Sequence, residues 1–160
     1  MQRIWAPWRL EYVASDTAEE GCFLCRALAS EADRENLLVY RGATCAVILN
    51  RYPYSNGHLL IFPHRHVPEL RDLTAEEKLE SMELLERSTA ILREAIAPHG
   101  FNVGMNLGKV AGAGLAAHLH THIVPRWTGD TNYMAVIGDT RVIPQSLLDL
   151  WDRLHPLFNA

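Results

Sequence analysis

The chain has 160 residues, 48% of them apolar and 21% charged, with a formal net charge of -4. That length predicts one domain spanning 1–160 with a sizeable core, and the composition excludes a disordered chain. The acidic balance and the lack of a long apolar run argue against nucleic acid and membrane as partners, while a locally positive pocket for a small anion stays open.

Residues 1–20 read as an irregular segment in which Trp5, Pro7 and Trp8 pack on the domain. Its prolyl break and its charges at Arg9 and Glu11 do not form a signal peptide. Three cysteines, Cys22, Cys25 and Cys45, make an odd count and predict a reducing, cytoplasmic setting. GCFLCRALASEA (21–32) opens with a C-x-x-C and then reads as weakly helical. LLVYR (37–41) and CAVILN (45–50) read as strands joined at Gly42 in a hairpin, and HLLIFP (58–63) reads as a buried strand after the turn RYPYSNG.

Thr74 and Glu77 form a capping box at the start of a long helix. Leu79, Met82, Leu85, Thr89, Leu92 and Ile96 fall near helical spacing and predict its buried face. Pro98 and Gly100 end it. FNVGMNLG (101–108) reads as a strand, KVAGAGLAA (109–117) as a glycine-rich loop, and HLHTHIVP (118–125) as a further strand. Pro144 is read as the start of a last helix with Leu147, Leu148, Trp151 and Leu154 on one stripe. The order predicts an α+β domain: an antiparallel sheet of about five strands with one long helix and a C-terminal helix.

In a strand, side chains two apart share a face, so His118, His120 and His122 should project together. Three chemistries suit such a row. The histidines can be unrelated buried side chains, ligands of a catalytic metal, or a nucleophile with its supports. A neutral imidazole can attack phosphorus if a hydrogen bond on its second nitrogen holds it in one tautomer. The glycine-rich loop before the row can bring backbone N–H groups close to an anion.

His118-Leu-His120-Thr-His122-Ile-Val resembles the histidine-triad signature, with Thr121 in a place that is usually apolar. The resemblance extends over ILNRYPYSNGHLLIFPHRHV (48–67), HGFNVGMNLG (99–108) and HIVPRWTGDTNYMAVIGDTRVIP (122–144), and to WAPWRLEY near the start. These segments are similar to the branch that contains bacterial diadenosine tetraphosphate phosphorylases. It implies that His120 is the nucleophile, forming a nucleotidyl-histidine, and that His122 orients the phosphate. Asn50 would lie near the ribose, and Asn106, Gly108, Gly112, Ala113 and Gly114 in the phosphate-contacting region. Ile48 and Leu49 are placed beside the base. Arg126 is read first as a solvated arginine and only second as a phosphate contact.

Many members carry a glutamine just before the triad; residues 113–117 here contain none. That departure favours inorganic phosphate over water as second nucleophile. The expected activity is nucleotidyl transfer from a dinucleoside polyphosphate. The alternatives are a hydrolase of such compounds or of nucleoside phosphoramidates, and a nucleotide-binding module with little turnover.

Cys22 and Cys25 alone fit a zinc knuckle, a redox pair or two buried thiols. The resemblance supplies the missing pair, His66 and His118, and implies a closed structural zinc held by Cys22, Cys25, His66 and His118. It also implies a homodimer. His64 and His99 are read as surface or loop histidines and Cys45 as core.

Overall fold

The computed structural model describes residues 21–111, 115, 117–130 and 143–160. The expectations for residues 1–20, for Gly112, Ala113 and Gly114, and for 131–142 lie outside the described residues.

Helix α1 (Phe23–Ala29) and the short α2 (Asp33–Asn36) precede strands β1 (Leu38–Arg41), β2 (Cys45–Leu49) and β3 (Leu59–Pro63). Helix α3 (Ala75–Ile96), β4 (Gly100–Met105), β5 (Thr121–Arg126) and α4 (Leu147–Phe158) follow, with 3-10 turns at Leu70–Asp72 and Lys109–Ala111. The strands form one antiparallel sheet in the order β1-β2-β3-β5-β4. Every residue of β2 and β3 is buried, which their continuous Val, Ile, Leu and Phe content allows on both faces. The core joins these strands to Leu84, Ile91, Leu92 and Ala95 of α3 and to Leu150, Leu154 and Phe158 of α4.

The predicted elements are present, with four shifts. The histidine run is not all strand: β5 begins at Thr121, leaving His118 and His120 in an irregular approach. Leu119 N–H there bonds the carbonyl of Val67 at 2.7 Å, so the approach is pinned outside the sheet ladder. The strand predicted over 101–108 is Gly100–Met105. The last helix starts at Leu147 because Ser146, not Pro144, is its cap, its hydroxyl accepting from Asp149 N–H. Its core side is Leu150, Leu154 and Phe158, while Leu148 is exposed.

The long helix departs most. Its capping box is as predicted: Thr74 Oγ1 accepts from Glu77 N–H at 3.2 Å and the Glu77 carboxylate accepts from Thr74 N–H at 2.8 Å. Its buried face is Glu77, Leu84, Ser88, Ile91, Leu92 and Ala95, and the predicted core positions Leu79 and Met82 are 62% and 64% exposed. Apolar residues lie on both sides of this helix, and polar Glu77 and Ser88 interrupt the true stripe. Glu77 is tolerated inside because Arg65 pairs with it at 2.6 Å and the cap takes a further lone pair.

Candidate functional site: two histidine clusters on one approach to β5

The first cluster gathers Cys22 at the start of α1, Cys25 within it, His66 after β3, and His118. Cys22 Sγ lies 3.2 Å and Cys25 Sγ 3.5 Å from His118 Nδ1, and Cys25 Sγ lies 3.3 Å from His66 Nδ1. His118 Nε2 is 2.8 Å from the carbonyl of Pro63, which only accepts, so Nε2 carries the proton and Nδ1 turns a bare lone pair to the sulfurs. Burial lowers the His118 pKa, and burial with the neighbouring Cys22 raises that of the Cys25 thiol. All four donor atoms lie within 4.8 Å of one another. A tetrahedral ion with Zn–S and Zn–N bonds of ordinary length has S···N edges of about 3.5 Å. The donor set and spacing therefore fit a closed four-coordinate metal site.

The second cluster begins two residues on. His120 Nδ1 lies 2.9 Å from the carbonyl of His118, an acceptor only, so Nδ1 carries a proton and the neutral ring has its lone pair on Nε2. Its ring centroid is 4.9 Å from that of His122, which is flanked by β3 and β4 through register pairs with Leu60 and Gly104. His122 Nδ1 is 2.9 Å from His58 Nε2. Tyr54 N–H donates to His58 Nδ1 at 3.1 Å and the Asn50 amide nitrogen reaches the same atom at 3.2 Å. His58 therefore holds its proton on Nε2 and gives it to His122 Nδ1. The proton of His122 then sits on Nε2, a buried nitrogen with no partner among the described residues. Burial, then the neighbouring imidazoles, pushes His58 down to about 3, and burial and His120 push His122 down to about 4. Both rings are neutral near pH 7. Tyr54 covers this pair, its ring centroid 4.7 Å from His58 and 5.9 Å from His122.

His58 is the site residue that sequence reasoning missed as a participant. It is fully buried at the head of an apolar strand, which is the signal that could have marked it. Gly57 makes its placement possible: it has φ +77, and a Cβ there would meet Ile96 Cδ1 at 2.5 Å. Asn50 sits in the same turn, its side-chain oxygen accepting from Tyr52 N–H at 3.0 Å.

Asn106 and Gly108 follow β4, whose Met105 pairs with Thr121, so the segment leads off beside the histidine approach. Gly108 has φ +83 and opens the 3-10 turn through the Ala111 N–H bond to its carbonyl. Ile48 and Leu49, expected beside a base, lie in the core at 3% and 1% exposure. Arg126 is bonded to Asp130 and to the Asn102 side chain, the plain reading of that arginine. Cys45 is core, its thiol on the Glu77 carbonyl at 3.5 Å. His99 is exposed, its Nδ1 accepting from Thr128 N–H at 2.9 Å; His64 is half-buried.

The HIT domain model matches residues 31–129. The chain belongs to the HIT domain family. It is 42% identical to AP-4-A phosphorylase of Mycobacterium tuberculosis across 93% of this chain and 80% of that one. It is 32% identical to the asymmetrical bis(5'-nucleosyl)-tetraphosphatase of Schizosaccharomyces pombe, across 57% of this chain and 50% of that one. The fold matches a Zn-bound histidine triad family protein from Mycobacterium smegmatis at TM-score 0.70 and 24% identity, over 87% of this chain and 94% of that one. Cys22 and Cys25 precede the matched domain segment, whereas His66 and His118 lie within it. Among the described residues no helix is long and apolar enough to cross a membrane.

Proposed function

We propose that this protein is a dinucleoside polyphosphate phosphorylase that works through a covalent nucleotidyl-His120 intermediate. One observation carries the reading: the His120 ring, fixed by its Nδ1–H on the His118 carbonyl, lies with its centroid 4.9 Å from that of His122, whose Nε2–H would serve as a donor to a phosphoryl oxygen. The M. tuberculosis relative supports phosphorolysis, since the likeness spans nearly the whole chain. Hydrolysis is the second reading, supported by the shorter likeness to the S. pombe tetraphosphatase.

Neutral His120 Nε2 attacks the α-phosphorus in line. The N–P bond forms as the bond from phosphorus to the bridging oxygen breaks, and the electron pair departs on the nucleoside polyphosphate. The proton on Nδ1 stays in place, and the His118 carbonyl offsets the positive charge that grows on the ring. His122 Nε2–H donates to a non-bridging oxygen, and His58 keeps that donor in position. Phosphate then attacks the same phosphorus from the vacated side and His120 recovers its lone pair. Asn50, Asn106 and the 108–114 loop would bind the nucleotide.

Cys22, Cys25, His66 and His118 would hold zinc. The four donors leave no open position, so the ion would be structural, fastening α1 to the histidine approach. Three free cysteines support a reducing cytoplasmic setting. The outer strand β4, with Val103 47% exposed, supports a homodimer, to be measured by light scattering.

Product analysis of diadenosine tetraphosphate turnover tests the activity. ADP and ATP formed only with phosphate, and lost in His120→Ala, is the expected result. AMP and ATP regardless of phosphate would replace phosphorolysis by hydrolysis, and no turnover would leave a binding module.

A further inference from the structure

The two clusters share one peptide unit. The carbonyl of His118 and the N–H of Leu119 belong to the same planar, trans group and point in opposite directions. On one side Leu119 N–H donates to the carbonyl of Val67 at 2.7 Å. On the other the His118 carbonyl accepts from His120 Nδ1 at 2.9 Å. Turning this plane would break both bonds together. What stops it from turning lies on either flank. The ring of His118 is fixed by Pro63 and the two cysteines, and Val67 directly follows His66, which meets Cys25 at 3.3 Å. One partner, Val67, thus adjoins a metal-cluster residue, and the peptide group itself begins at another, His118.

We propose that the metal cluster sets the tautomer of the nucleophile, by clamping the 118–119 peptide plane between His66–Val67 and His118 so that the His118 carbonyl faces His120 Nδ1. This rests on the nucleophile and zinc assignments above. The clamp matters because an imidazole free to move its proton to Nε2 has no lone pair there and cannot attack. Arg65 and Glu77 extend the clamp: their paired bond at 2.6 Å ties the residue before His66 to the capped start of α3. His66, Cys25 and His118 are positioning residues on this account, since none need touch substrate.

His66→Gln is the mildest cut, because His66 is the exposed member of the cluster. The zinc-loaded wild type and the metal-stripped variant would be compared by circular dichroism for fold, by two-bond 1H–15N correlation for the His120 tautomer, and by Leu119 amide exchange. We expect His120 purely Nδ1-protonated and Leu119 protected in the wild type. In the folded variant we expect mixed tautomers, faster Leu119 exchange, and kcat lower by about 10- to 100-fold with KM changed by less than about threefold, the usual cost of losing an outer support. A folded, metal-free variant whose His120 stays Nδ1-protonated overturns the proposal.

Should that variant unfold, His118→Cys decides, because a thiolate can still hold the ion while its shorter reach drags the peptide plane. Full zinc content with mixed His120 tautomers is then expected, and an unchanged tautomer overturns the clamp. Metal analysis separates the two levels. Wild type that binds no zinc under reducing conditions removes the zinc assignment itself and the clamp with it, whereas zinc bound without effect on His120 removes only the clamp.

Discussion

The two ends of the HLHTH run use the same side chain in opposite ways. At His118 both ring nitrogens are engaged, one by the Pro63 carbonyl and one by the cysteine sulfurs. At His120 and His122 only Nδ1 is engaged among the described residues, by the His118 carbonyl and by His58 respectively. An imidazole with both nitrogens committed is a structural part. One with a single nitrogen committed is fixed in tautomer and keeps the other for chemistry. The difference comes from what flanks each ring, since the three are the same residue two positions apart.

The sharpest break of this contrast is His120→Ala, which removes the proposed nucleophile. Turnover of diadenosine tetraphosphate should fall by about 10⁴-fold or more, with the melting temperature little changed. Mass spectrometry of the wild type quenched in turnover should show a nucleotidyl adduct that the variant lacks. His122→Ala comes next: losing the proposed donor to the phosphoryl oxygens should lower kcat by roughly 10²- to 10³-fold. If KM alone rises, His122 binds the ground state and the contrast drawn above fails there. His58→Ala should cost about 10- to 100-fold in kcat, because His122 survives but loses the partner that fixes its proton. Wild-type kcat in that variant would show that His122 needs no such support.

A gentler effect separates the buried pair from the rest by pH. The folded pKa values of His58 and His122 are depressed to about 3 and about 4 from an ordinary 6.5. As pH falls below about 6.5 the unfolded chain takes up these protons first, so stability is lost from there down to about 4. Below that only His58 still contributes, until about 3. Each group adds a slope of at most about 1.4 kcal/mol per pH unit. Denaturant melts across this range should show the slope, and His58→Gln should flatten it; an unchanged slope would mean that the pair is open to water. The smallest effect is expected from Arg126→Ala. Its partners are Asp130 and Asn102, so kcat and KM should stay within about twofold. A large rise in KM would make it a phosphate contact instead.

Much of this molecule can be read from residue order alone. Buried strands announce themselves in CAVIL and LLIFP because apolar content and length are local properties. The capping box of α3 is legible because Thr74 and Glu77 satisfy each other within one turn. The alternation of the histidines, together with the family resemblance, singles out His120 and His122, and the C-x-x-C offers two donors that only the resemblance completes into a metal site. Tertiary structure decided the rest. It chose which side of α3 is buried, since Arg65, outside the helix and 12 positions before Glu77, makes room for that carboxylate inside. It brought His58 to His122 across 64 positions, and Cys22 to His118 across 96. It assigned the protons as well: a tautomer depends on which donor or acceptor stands opposite each nitrogen, and here the Pro63 carbonyl, the Tyr54 N–H and the His118 carbonyl stand there only once the chain is folded.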